Sequence, residues 1–289
     1  MNDHSLLAEQ FEANRGRLNA VAYRMLGSLS EAEDAVQESW IRLGRTDPSG
    51  IENLGSWLTT VVARVCLDML RTRKSRREKP LESDESESIV KFGIGGIDPE
   101  HEALLADSVG LALLVVLDRL NPAEHVAFVL HDVFAMSFSE IGPIVGRTEA
   151  AARQLASRAR RRVQGVKNAP EADFVRQREL IESFLSAARA GNFDALLHIL
   201  DPEIVLRDDR SAARREVRDA RIVARQVAAA RGRTAQQALV NGSVGIVVAP
   251  RGKLSFVILF TIKEDKIAVI ELVSDPMRLR QLDLAVLGD

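Results

Sequence analysis

Cysteine is nearly absent from this 289-residue chain, where Cys66 stands alone. An internal disulfide is therefore excluded, and a reducing compartment fits. No apolar run approaches the roughly 20 residues that a membrane span requires. The opening stretch, MNDHSLLAEQFEANRGRL, carries acidic residues at amphipathic spacing and has none of the layout of a secretion signal. A cytoplasmic chain that does not enter membranes is expected. An excess of charge of either sign is missing too, the formal net charge being −2. Total charge alone would not suggest a nucleic-acid binder, so the distribution has to decide.

What is present is an ordinary globular composition, 46% hydrophobic and 28% charged, over a length that suits two or three domains. The charge is segregated. Residues 71–79 read RTRKSRREK and residues 158–162 read RARRR, with the acidic, serine-rich ESDESES at 82–88 between them.

Residues 5–27 repeat apolar side chains at helical spacing, with Leu18, Val21, Ala22, Met25 and Leu26 inward and Gly27 as the stop. Ser30 with Glu33 predicts a capping box for a second helix reaching about Leu43. A third helix is expected from about Leu54 to Arg77, with Trp57, Leu58, Val61, Val65 and Met69 on one stripe. Residues 78–97 combine Pro80, the acidic tract and clustered glycines, and read as a flexible linker. Asp98–Pro99 opens the next helix, running to Leu120. Asn121–Pro122 with Glu124 starts another, to about Phe134. Ser137 with Glu140 is a further capping box, for a short helix ending at Val145. Gly146–Arg147 turns the chain, and Thr148 caps a last helix to about Val166. Beyond Ala169–Pro170 come helices at 172–190 and 193–200. The runs ALVNGSVGIVVAP, KLSFVILFTIKE and KIAVIELVS follow and read as antiparallel strands, with turns at Arg251–Gly252 and Glu264–Asp265. Helices first and strands later indicate a separate α+β domain.

SFSEIGPIVGRTEAAARQLASRARRRV has the form of a helix-turn-helix. On its second helix, Ala152, Leu155, Ala159 and Val163 share a buried stripe. Arg153, Gln154, Ser157, Arg158, Arg160 and Arg161 are left outward. A run of arginines is by itself most often a solvated helical face. Its place on the second helix of a capped helix-turn-helix favours DNA. Arginine and glutamine pair bidentately with guanine and adenine edges, and further arginines neutralise phosphates. Such a helix reads with its N-terminal residues, so Arg153, Gln154 and Ser157 take base edges and Arg158, Arg160 and Arg161 take phosphates. Upstream, Arg71, Arg73, Lys74, Arg76 and Arg77 exceed what a helix dipole needs at its C-terminus. Asp34, Gln37, Glu38 and Ile41 form an outward stripe of their own.

AYRMLGSLSEAEDAVQESWIRL, LGSWLTTVVARVCLDMLRTRKSRRE and the segment LNPAEHVAFVLHDVF with the helix-turn-helix resemble regions 2 and 4 of the extracytoplasmic-function RNA polymerase sigma factors. The resemblance implies promoter recognition in complex with core RNA polymerase. Asp34, Gln37, Glu38 and Ile41 would dock on the β′ clamp helices, and Glu124–Phe134 would lie near the β flap. Arg64, Asp68, Arg71, Arg73, Lys74, Arg76 and Arg77 would lie at the −10 element. Thr148, Arg153, Gln154, Ser157, Arg158, Arg160 and Arg161 would lie at −35. Many members carry Asn where Arg64 stands. Residues 172–289 resemble the SnoaL-like (NTF2-like) fold, implying a curved antiparallel sheet cradling two helices. The segment Ser274–Pro276 with Leu279 fits the terminal motif of such fused domains. Asp208–Asp209 stands where relatives carry a glycine-rich acidic motif, here without its glycines.

The expected fold class is thus α+β multidomain: two all-α sigma domains plus a C-terminal SnoaL-like α+β cone. The expected boundaries are 1–78 for region 2, 79–100 for the acidic linker, 101–168 for region 4 and 172–289 for the regulatory domain. Asp208, Asp209, Asp275, Pro276 and Leu279 are the candidate regulatory contacts. His198 is the only histidine after residue 171, and no carboxylate pair or metal-ligand spacing supports catalysis. No cofactor and no metal are expected. Promoter DNA and core polymerase are the expected partners, with a small-molecule effector of unspecified chemistry open for the fused domain. A stand-alone helix-turn-helix regulator and a SnoaL-type enzyme with a helical appendage are the competing readings.

Overall fold

The computed structural model describes residues 3–47, 50–78, 110–168, 170–209, 215–230, 235–250 and 253–287. The linker at 79–100, the helix start at Asp98–Pro99 and the turn at Arg251–Gly252 lie outside the described residues. The chain divides into two compact units, one of Met1–Ser88 with Leu117–Arg161 and one of Ile89–Val116 with Arg162–Asp289.

In the first unit, α1 (Asp3–Leu26), α2 (Leu29–Leu43) and α3 (Leu54–Glu78) form a bundle. Leu18, Val21, Ala22, Met25 and Leu26 are all buried, as their spacing predicts. Phe11 packs against Trp40 with ring centroids 4.9 Å apart. Gly27, at φ +68°, ends α1. The cap of α2 falls two residues earlier than expected: the Ser28 hydroxyl, not that of Ser30, accepts from the Glu31 N–H. Because Gly27 takes up the reversal itself, the helix can begin at once. α3 buries more than one stripe, with Val62, Ala63, Cys66 and Leu67 interior as well. Burial pushes the Cys66 thiol up to about 12.

α5 (Pro122–Phe128), a π-helical turn (Val129–Val133), α6 (Phe138–Val145) and α7 (Glu149–Gln164, within this unit to Arg161) complete the first unit. The helix expected to continue smoothly to Phe134 instead widens after Phe128. α3 packs on α5 and α6, and α1 packs on the π-helical turn. The helices expected as separate domains, 1–78 and most of 101–168, therefore share one unit. Helix packing joins them, and long-range polar bonds described below add to it.

The second unit holds a seven-stranded sheet in the order β2-β1-β6-β5-β4-β3-β7. Its strands are β1 (Leu200–Asp208), β2 (Arg215–Arg218), β3 (Ala235–Val240), β4 (Ser243–Val248), β5 (Phe256–Lys263), β6 (Lys266–Val273) and β7 (Leu284–Ala285). β1 runs parallel to β6 and the remaining pairs are antiparallel, so the sheet is mixed where an antiparallel one was expected. The run ALVNGSVGIVVAP is two strands. Asn241–Gly242 turns between them with both φ positive, as Glu264–Asp265 does between β5 and β6. Such two-residue turns match the twist of paired strands.

α8 (Glu171–Ala190), α9 (Phe193–Ile199) and α10 (Ala220–Ala230) belong to this unit, and side chains from all three enter one core with the sheet. Phe174, Ile181, Phe184, Leu196, Val223 and Ile246 are members of that core. The Gln237 side chain donates to the Arg178 carbonyl on α8 (3.0 Å), so its neighbour Gln236 faces the opposite side of the sheet. There Gln236 Oε1 accepts from the Ala112 N–H (3.0 Å). α4 (Leu111–Asp118) is thereby tied to the sheet, and its residues Leu111–Leu117 are buried on every side. Residues 163–168 are fastened to the same sheet. The Val286 N–H donates to the Val163 carbonyl (2.7 Å) and the Asn168 N–H to the Gly242 carbonyl (2.9 Å). Gly165, at φ +60°, lies so close to Ala285 that a side chain there would collide with it.

Candidate nucleic-acid interface

The helix-turn-helix forms as its sequence dictates. Ser137 and Glu140 complete a reciprocal capping box, and those hydrogen bonds hold the Glu140 carboxyl below the usual carboxylate range. Gly146 takes the left-handed conformation that lets α6 stop, and the Arg147 N–H closes on the Gly142 carbonyl (2.9 Å). Any side chain at Gly142 would lie 2.9 Å from the Arg147 carbonyl oxygen, so the turn needs glycine twice. The Thr148 hydroxyl then accepts from the Ala151 N–H (3.3 Å), opening α7.

α7 buries Ala152, Ala156, Ala159 and Val163, while Leu155 is only half-buried. Arg153, Gln154, Ser157, Arg158 and Arg161 are exposed. Arg153 is oriented by Glu149 (2.9 Å) and by the Phe138 ring, whose centroid lies 5.4 Å from its guanidinium. Arg160 is set apart from the others: its Nε donates to Asp132 (2.8 Å), which ties it to the π-helical turn.

On α3, Arg64, Asp68, Arg71, Lys74 and Arg76 are exposed, and Arg71 reaches Asp68 at 3.4 Å. The Arg77 side chain lies outside the described residues. Arg73 departs from the expectation of an outward cation. Its side chain is 22% exposed and its guanidinium donates to the Leu26 carbonyl, to Glu31 and to Asp118. Lys74 donates to the Asn121 side chain. Local spacing offered no signal for these partners, which stand 42 to 47 positions away in sequence.

α2 presents Asp34, Gln37 and Ile41 outward, with Ile41 40% exposed, and Glu38 beside them pairs with Arg42 at 2.9 Å. Ala32, Ala35, Val36, Ser39 and Leu43 form its buried face. The expected polymerase-facing stretch from Glu124 to Phe134 is largely interior, with Glu124, His125, Phe128, Val129 and Leu130 buried. His125 Nε2 lies 3.4 Å from the Arg24 carbonyl, and burial lowers its pKa to about 4.

In the second unit, Asp208 and Asp209 lie at the end of β1, while Asp275, Pro276 and Leu279 lie at and in the short helix that follows β6. Asp209 is the hub, accepting from the Ser274 N–H (2.7 Å) and hydroxyl (3.0 Å) and from Arg278 (3.0 Å). Arg278 also binds Glu271 (2.6 Å), and this pair, with Asp209 nearby, raises the arginine above its ordinary value. Asp275 caps α11 (Pro276–Gln281) by accepting from the Arg278 N–H (2.8 Å). Asp209 and Asp275 thus help to join β1, β6 and α11 within this unit. The tract Arg210–Ala213 lies outside the described residues. His198 is exposed and bonded to the Asp194 carbonyl (2.7 Å). No helix among the described residues is long and apolar enough to cross a membrane, and they contain no cluster suited to a metal ion.

The first unit thus holds a capped helix-turn-helix and, upstream of it, a second helix with exposed basic residues. The profile for Sigma-70 region 2 matches residues 10–76, and that for Sigma-70, region 4 matches residues 110–163. The second match begins on residues that pack with the C-terminal sheet. Two Mycobacterium tuberculosis proteins are similar over most of their length. "Probable ECF RNA polymerase sigma factor SigI" is 35% identical, over 71% of this chain and 70% of that one. "ECF RNA polymerase sigma factor SigJ" is 38% identical, over 83% of this chain and 80% of that one. The crystal structure of SigJ aligns with 94% of this chain and 98% of its own, at 33% identity and a TM-score of 0.45. The chain belongs to the extracytoplasmic-function RNA polymerase sigma factors.

Proposed function

We propose that α7 reads the −35 element, the outward residues of α3 serve the −10 element, and α2 docks on core polymerase at the β′ clamp helices. The observation that carries this reading is α7 itself. Its first outward residues, Arg153, Gln154 and Ser157, are exposed on a capped, rigid helix, and Arg153 is oriented in advance. Glu149 must yield Arg153 to a guanine edge, an exchange between exposed partners that costs little. Asp34, Gln37 and Ile41 offer an acidic face with an apolar centre, a composition suited to a basic protein partner. A β-flap contact by Glu124–Phe134 would have to use its half-buried edge.

The functional division we propose keeps 1–78 and 101–168 as the promoter-binding segments and 172–289 as a regulatory domain, joined by the acidic 79–100. A small-molecule effector remains part of that proposal for the C-terminal domain. Neutral overall charge favours specific use of the basic faces over general attraction to nucleic acid.

The test is reconstitution. The full chain should form a stoichiometric complex with core polymerase and direct transcription from a promoter; no complex and no transcript would defeat the reading. In that complex Arg153→Ala should cost about 1–3 kcal/mol on the cognate −35 sequence and relax base preference, whereas Arg161→Ala should weaken cognate and scrambled DNA alike. Equal effects of both changes on both sequences would remove the division of roles.

A further inference from the structure

We infer that the π-helical turn ahead of the helix-turn-helix helps to set the base preference of α7 at −35, with Phe138 and His131 as positioning residues for Arg153. A determinant of base choice then lies outside the recognition helix, in a role that rests on the −35 reading of α7.

The turn is held open by widely spaced backbone bonds. The Phe134 N–H donates to the Val129 carbonyl (3.3 Å) and the Met136 N–H to the Leu130 carbonyl (2.9 Å). Between them Ala135 stands at φ +54°, a conformation that residues other than glycine seldom adopt. Such strain persists only where the surroundings over-determine it, and both strained residues and π-turns collect at functional sites. Here the reversal brings the Met136 carbonyl back to His131, whose Nδ1–H donates to it (3.0 Å). The imidazole so held stacks on the Phe138 ring, with centroids 3.9 Å apart and planes 29° from parallel. Phe138 is the first residue of α6, directly after the Ser137 cap, so its backbone is fixed as well. The Arg153 guanidinium lies 5.4 Å from the centroid of that same ring.

Arg153 thus has two partners of different kinds. Glu149 takes an N–H of the guanidinium (2.9 Å), and a guanine edge must displace it to gain a bidentate pair. The Phe138 ring attracts the cation without consuming an N–H. It can therefore keep the side chain in place while the donors pass from Glu149 to the base. An arginine restrained in advance loses less rotamer freedom on pairing, and only a correctly placed guanidinium makes both bonds. The next residue of the turn, Asp132, holds Arg160 through its Nε (2.8 Å). Consecutive side chains of one turn therefore restrain α7 at two places, His131 through Phe138 and Asp132 directly.

The experiment reconstitutes holoenzyme from core polymerase and the full-length chain, and selects −35 sequences from a randomised promoter pool. Enrichment at each base pair is read by sequencing. Arg153→Ala should flatten the preference at one base pair. Phe138→Leu should lower the preference at that same base pair about two- to fivefold, the size of an exposed cation–ring contact, and leave the others unchanged. Phe138→Tyr should retain the preference, and His131→Ala should lower it at the same place by a smaller factor. In the Arg153→Ala background, Phe138→Leu should have no further effect. Additive losses in the double variant, or losses spread evenly over all base pairs, would make Phe138 a structural residue only and overturn the positioning role. Should Phe138→Leu fail to form holoenzyme, His131→Ala decides, and an unaltered preference at the Arg153 base pair overturns the role. If Arg153→Ala itself changes nothing, the base-edge role of Arg153 falls and the positioning role with it. If Arg153→Ala flattens a base pair that Phe138→Leu leaves untouched, the positioning role falls alone.

Discussion

His125 is the residue on which pH should act most strongly. It is buried beside the Arg24 carbonyl, with Asp118 and Arg73 as its nearest charged influences, and burial holds its pKa at about 4. The unfolded chain titrates this side chain near its ordinary 6.5, so between those values the unfolded state binds the extra proton. Stability from this residue is complete above pH ~6.5 and is lost as pH falls towards ~4, with about 3 kcal/mol at stake. Urea unfolding at pH 7.5 and pH 5 should differ by roughly 2 kcal/mol more in the wild type than in His125→Asn. An equal pH response in the two proteins would contradict this. The sequence placed His125 on a helix, yet nothing nearby marked it as interior. Its surroundings come from α1, about a hundred residues earlier. The same distance hid the fate of Arg73. By contrast, the Ser137–Glu140 box and the exposure of Arg153, Gln154 and Ser157 could be read directly, because each depends only on residues within one or two turns.

At the scale of elements, α1, α3, α6, α7 and α8 follow from periodicity and caps, and the three apolar runs do become strands. β1, β2, β7, α10 and α11 escaped reading. β1 begins LDP and carries charges, and its pairing with β6 is parallel, so no hairpin turn announces it. α10 offers only a narrow buried face, Val223 and Ala224. The tie between residues 163–168 and the sheet was equally invisible, since it consists of backbone bonds and of a glycine whose reason is a distant alanine. Gly165→Ala forces a side chain into Ala285 at positive φ. It should destabilise by about 2–4 kcal/mol in chemical denaturation. Gly16→Ala, in the middle of α1 with open space around it, should do the reverse and stabilise by up to about 1 kcal/mol. A neutral result at Gly165 would mean that this tie is not made in solution.

For the whole molecule, the boundaries drawn from composition and those drawn by packing disagree in an instructive way. Residues 110–116 fall inside the region 4 match and yet pack with the C-terminal sheet. Removing everything after residue 168 would strip the cover from Leu111, Leu113, Leu114, Val115 and Val116, each worth roughly 1.5–3 kcal/mol when fully buried. The shortened chain should unfold at a lower temperature and self-associate in sedimentation experiments, and its promoter activity should change in the reconstituted system. A monomeric 1–168 fragment with unaltered melting and unaltered transcription would show that the C-terminal unit neither supports nor regulates the rest.

Cys66, enclosed in α3 with its thiol held protonated, has a practical corollary. Thiol-directed reagents act on the thiolate, so the native chain should stay dark to maleimide dyes. A cysteine introduced at an exposed position of α7, such as Gln154, would then carry the only label. Paired with a second one on α2, it would turn the protein into a ruler for following its own rearrangement on polymerase.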